Sequence, residues 1–131
     1  MDLREYLEKT EGRGILATAD SEGKVDLAVY AKPHFMDDGT LAFIMADRLT
    51  HRNLQSNDHA AFMFMEAGAG YKGVRLFLSK VGEEQDSERL YAMRSKRYPS
   101  YKEEGKPRFL VFFKVDKELA LVGAERTKDT L

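Results

Sequence analysis

Cysteine is absent from the 131 residues, which excludes disulfide staples, thiolate metal sites and a cysteine nucleophile, and fits a reducing compartment. Histidine occurs only at 34, 51 and 59, without the close spacing of a metal-ligand set, so no metal is expected. Charge of one sign is missing too: 21 Lys and Arg stand against 22 Asp and Glu. No general field gathers nucleic acid, and any anion site must be local. Long apolar runs are lacking, and the opening "MDLREYLEKTEGRG" is charged throughout, unlike a signal peptide. A soluble, cytoplasmic protein without a membrane partner is expected. The chain shows no Ser-His-Asp arrangement, paired catalytic carboxylates, HExxH or GxxxxGK[ST] phosphate loop.

What is there is strand-forming sequence with aromatic bulk, 8 Phe and 6 Tyr, enough for the core of one domain spanning residues 1–131. Residues 2–10, "DLREYLEKT", put Leu3, Tyr6 and Leu7 on one face of a short helix that "EGRG" stops. "GILATAD" and "VDLAVYAK" read as a hairpin through "SEGK". After the Asp38-Gly39 turn, "TLAFIMA" is apolar throughout, as a central strand buried on both faces would be. Thr50 is placed to cap a short helix over "HRNLQSND". "HAAFMFME", "VRLFLSKVGEE" and the tail segments "RFLVFFKV" and "ELALVGAE" add further strands, the tail one or two. Residues 86–97 form a helix behind a Ser87 cap, with Pro99 beyond it. Six to seven strands with three helices placed irregularly between them predict a mainly β fold: an antiparallel barrel or sandwich with appended helices. The apolar surface exceeds what one copy buries, so a dimer is expected.

Four segments hold groups that could carry chemistry. In "ADRLTHRNLQSND", residues 46–58, Arg48, Thr50, His51 and Arg52 surround a helix start, where unpaired N–H groups and partial positive charge suit a phosphate. The alternative is an ordinary cap with solvated bases. In "YAKPH", residues 30–34, Lys32 and His34 share one side of an extended chain; the alternative is an edge strand broken by Pro33, with Lys32 deterring aggregation. In "GAGYKGVR", residues 68–75, Tyr71 could stack on a planar ligand or sit on a flexible hairpin. "RSKRYPSYKEEGK", residues 94–106, mixes basic and aromatic residues as nucleic-acid surfaces do, but its glutamates and the neutral chain favour a solvated helix end. Nucleic acid is not an expected partner.

Residues 14–64 follow a recurrent order: a strand ending in "ATAD", a glycine turn, a strand, a "DG" turn, an apolar strand, and a Thr/Arg-rich turn into "NLQSND". With "GYKGVRLFLSKVG" and the tail "FLVFFKVDKELALVG", the chain resembles the pyridoxamine 5'-phosphate oxidase-like, FMN-binding split β-barrel family. That resemblance implies a homodimer with FMN at its interface and an oxidoreductase whose electrons come from a donor such as NAD(P)H or from a small-molecule substrate. It places the flavin ring against Ala28, Val29, Tyr30 and Ala31; the apolar strand 41–46, Met45 included, could supply a wall, and Tyr71 could stack on the ring. The phosphate falls to Arg48, Thr50 and His51, with Lys32 reaching in. The oxidases carry a Ser-Arg-Lys run where this chain reads Arg48-Leu49-Thr50, and no catalytic side chain is implied. A haem- or deazaflavin-binding protein on the same barrel, without turnover, is the alternative.

Overall fold

The computed structural model describes residues 2–97 and 105–123, with only the backbone of 95–97. The elements run α1 (Leu3–Lys9), β1 (Gly12–Ala19), β2 (Val25–Tyr30), β3 (His34–Phe35), β4 (Leu41–Ala46), α2 (Leu49–Ser56), β5 (His59–Glu66), β6 (Gly73–Gln85), α3 (Glu88–Arg97) and β7 (Arg108–Ala120). No helix among the described residues is long and apolar enough to cross a membrane.

Seven strands form one antiparallel sheet in the order β2-β1-β5-β6-β7-β4-β3. Alternation decides its inner face. Leu16, Phe62, Phe64, Leu76 and Leu78 point inward and are almost fully buried, together with Phe43 and Phe113 from the far side of the sheet. The two long strands, β6 and β7, shift register between Phe77 and Leu78 and again between Lys80 and Gly82. Such bulges bend and twist a sheet, and this one curls into a split barrel whose edges are β2 and the two-residue β3. The curl brings the Tyr30 ring edge-on to Phe43 at 5.8 Å, although β2 and β4 share no hydrogen bonds.

The uninterrupted apolar run of β4 has a different origin from the one expected. It lies one strand from the edge rather than at the centre, and its outer face is covered by a helix. Ala42 packs with Leu90 of α3 and Leu110 of β7 in a second small cluster, bordered by Ile44, Met93 and Phe112. The tail segments form one continuous strand, because two bulges let it follow β6 without a turn. The Ser87 hydroxyl accepts from Leu90 N–H at 3.2 Å, as a cap of α3 should. Most of the basic-aromatic segment 94–106, including Pro99, lies outside the described residues.

At the other end, Asp2 caps α1 by accepting from Glu5 N–H at 2.8 Å. Tyr6 and Leu7 then reach the core, where Tyr6 meets Phe64 edge-on at 6.0 Å and its hydroxyl donates to Glu66. Burial and that carboxylate both push the Tyr6 phenol well above its ordinary range. Gly14 allows a close approach of strands: a Cβ there would lie 2.6 Å from the Tyr30 carbonyl oxygen and against the Phe62 ring. Gly14→Ala is therefore expected to cost about 1–3 kcal/mol by overpacking, read as a lowered denaturant midpoint. An unchanged midpoint would mean that β1 and β2 separate freely here.

Candidate functional site

Helix α2 lies along the split of the barrel and is tied to both halves. On one side, Asn53 Nδ2 donates to Thr18 Oγ1 of β1 at 3.1 Å, and Asn57 Nδ2 to the Asp20 carbonyl at 3.4 Å. On the other, Lys80 of β6 donates to the Leu54 carbonyl at 3.3 Å. Leu54, fully buried, anchors the helix in the core.

The opening turn of α2 meets the end of β2. The half-buried Tyr30 phenol is raised by burial, against a hydrogen bond with Thr50 and the nearby positive charge of Arg48, which lower it. Tyr30, Arg48 and Thr50 thus converge, with Arg48 exposed and Thr50 buried. The helix begins two residues earlier than expected: Arg48 rather than Thr50 is the N-cap and gives no side-chain cap hydrogen bond, while Thr50 sits within the first turn. Among the described residues no side chain caps this helix start, a position that suits an anion. Beside this turn, Val29, Tyr30, Ala31 and Lys32 face Phe43 and Ile44 across a depression of about 240 Å³. Lys32 Nζ donates to the Thr10 carbonyl at 2.9 Å.

Of the residues expected at a cofactor, Val29, Tyr30, Ala31 and Lys32 line the depression, Arg48 and Thr50 meet it through Tyr30, and Ala28 lies on the same strand. Three sit differently. Met45 is 2% exposed and points into the barrel, because β4 turns alternate residues inward. Tyr71 is 78% exposed on the loop joining β5 to β6 and makes no hydrogen bond or ring contact with the Tyr30–Arg48–Thr50 group. His51 is 5% exposed and turns toward β6 and β7. Its ring stacks on Phe109 at 3.7 Å, with Nδ1 2.9 Å from Asp47 Oδ1 and Nε2 3.1 Å from Glu83 Oε2. Both nitrogens are engaged by carboxylates.

Glu83 is the centre of that cluster. Burial would raise its carboxyl, but hydrogen bonds from Lys80, Gln55 and His51 outweigh this and bring it down to about 2. Lys80 Nζ lies 2.8 Å and Gln55 Nε2 3.0 Å from Glu83 Oε1. Nothing in the spacing of Asp47, His51, Gln55, Lys80, Glu83 and Phe109 marks them as partners, because three elements must fold before they meet. A carboxyl held below its unfolded value near 4.5 stabilises the fold above that pH and loses the contribution as pH falls toward 2. The urea midpoint should therefore drop between pH 4.5 and about 2, and drop less in Glu83→Gln. Equal acid profiles would remove Glu83 from the account.

A curled split barrel with a helix along its seam defines a class. The family model of pyridoxamine 5'-phosphate oxidase matches residues 2–118, and the chain belongs to that family. Among solved structures it is similar to an FMN-binding protein from Syntrophomonas wolfei subsp. wolfei, with a TM-score of 0.73, 21% identity, and coverage of 94% of this chain and 85% of that one. It is also similar to an F420 reductase, with a TM-score of 0.68, 18% identity and coverage of 90% and 97%. A third is HutZ, the haem storage protein from Vibrio cholerae, with a TM-score of 0.66, 17% identity and coverage of 90% and 91%. A search of curated proteins gave no match.

Proposed function

We propose that the protein binds FMN at the seam between β2 and α2 and serves as a flavin-dependent oxidoreductase. The observation that carries this reading is the convergence of Tyr30, Arg48 and Thr50 at an α2 start that has no side-chain cap. The donor set fits the cofactor. Arg48, the Thr50 hydroxyl and the first-turn N–H groups suit a phosphate. The apolar wall of Phe43 and Ile44 suits a ring system, and the outer edge of β2 leaves backbone groups at 28–31 free of a strand partner. When bound, FMN supplies the electron-transfer chemistry itself, so the lack of a catalytic side-chain motif is no obstacle. A donor such as NAD(P)H, or a small-molecule substrate, would deliver the electrons.

A depression of 240 Å³ is smaller than the roughly 300–1,000 Å³ of ligand pockets, so one copy does not enclose a flavin. A second copy would complete the site. Val25, Leu27 and Val29 are 70–83% exposed on β2, in register with Ala19, Ala17 and Ile15 of β1. Ala61 and Met63 of β5 and Phe77 of β6 continue the same outer face. An apolar patch across four strands, ending at an edge, fits a homodimer interface. Leu27→Glu should convert a dimer to a monomer in sedimentation; a wild-type monomer at micromolar concentration would contradict the proposal.

The S. wolfei neighbour favours FMN, while the F420 reductase and HutZ keep deazaflavin and haem as the second reading. Titration of purified protein separates them, since haem absorbs in the Soret region and flavins at longer wavelength. FMN should bind and raise the melting temperature, and Arg48→Ala should weaken it by about 10–100-fold for the loss of one charge-assisted contact. FMN affinity unaffected by Arg48→Ala would remove the phosphate assignment, and no FMN binding would remove the reading. Anaerobic bleaching of bound flavin by NADH or NADPH would then establish the reductase reaction; a flavin that stays oxidised with either would oppose that donor.

A further inference from the structure

We infer that His51 is a positioning residue that clears a competing anion from the phosphate site, rather than a ligand of the phosphate. This deepens the flavin reading above and rests on it. Asp47 immediately precedes Arg48 and is exposed, so its carboxylate is the nearest covalent competitor for any anion drawn to Arg48 and the first turn of α2. His51 holds that carboxylate through Nδ1 at 2.9 Å, across one helical turn.

The hold is directional because the ring cannot swing. One face stacks on Phe109 at 3.7 Å with 16° between the planes, and Nε2 lies between Gln55 Nε2 at 3.0 Å and Glu83 Oε2 at 3.1 Å. Glu83 is itself set by Lys80 and Gln55, and Gln55 Nε2 also donates to the His51 carbonyl at 3.0 Å. Asp47, His51, Glu83 and Lys80 thus form one chain of polar contacts from the seam to β6. Its ordinary alternative, a capping residue at the helix start, is missing, since the Arg48 side chain makes no cap bond. Without His51, Asp47 would be free to pair with Arg48 or to repel the phosphate. The ribityl and ring portions of a flavin would be untouched, because they depend on β2 and β4.

The test compares FMN with riboflavin, which lacks the phosphate, by fluorescence titration of the full chain. His51→Gln, which lacks the rigid ring between Asp47 and Glu83, should weaken FMN by about tenfold, the scale of one charge-assisted hydrogen bond, and leave riboflavin unchanged. Adding Asp47→Asn to that variant should restore most of the FMN affinity, a recovery that a merely structural role would not give. If His51→Gln melts without a cooperative transition, Glu83→Gln reports the same split with a smaller FMN loss. Equal losses for both flavins, an unchanged FMN affinity, or no recovery in the double variant would overturn the inference. Wild-type protein that binds neither flavin would overturn the flavin reading itself, and it is read first in the same titration.

Discussion

The contacts that hold α2 across the split barrel are the constraint on which the rest depends. A sheet of seven strands that curls without closing has two edges and an open seam, and an open seam in a core exposes both apolar side chains and unpaired backbone. Helix α2 fills it with Leu54 inward, Asn53 and Asn57 toward β1, and His51 toward β6 and β7. The helix start is thereby fixed at the end of β2. A single structural need, covering the seam, places a row of backbone N–H groups and two polar side chains beside an apolar wall.

That arrangement leaves one edge uncovered. β2 presents alternate apolar residues outward and its free backbone edge beside them. Natural edge strands are usually protected by charge or bulges, and here Asp26 points to the opposite face and gives no such protection. The exposed edge and the shallow depression lined by Val29 and Tyr30 adjoin, which is why the proposed dimer and the proposed cofactor site fall at one place. The near-neutral charge fits this, since self-association meets little electrostatic repulsion.

Much of the fold was legible because two-residue alternation and turn residues are local signals. The helix at Leu3–Lys9, the β1–β2 hairpin and the Asp38-Gly39 turn needed no tertiary information. β4 was read as central because a strand covered by sheet neighbours and one covered by a helix look alike in sequence; only Leu90 and Met93 of α3 distinguish them. The candidate site was legible in its chain segments but not in its partners. Arg48 and Thr50 stood out beside a helix start, and Tyr30 on a neighbouring strand, yet the Tyr30 hydroxyl meeting Thr50 depends on the curl of the sheet. His51 looked like a ligand because a histidine beside two arginines carries no sign of which way it turns. Its direction is set by Glu83, 32 residues further along the chain.

The central claim is that the first turn of α2 and the end of β2 together form the binding surface. Backbone amide resonances followed during an FMN titration test it most directly. The account predicts that the N–H signals of Leu49, Thr50 and residues 28–32 shift together along one saturating curve, while those of the outer α3 face stay still. Saturable FMN binding that shifts resonances elsewhere and leaves Leu49 and Thr50 unmoved would contradict it.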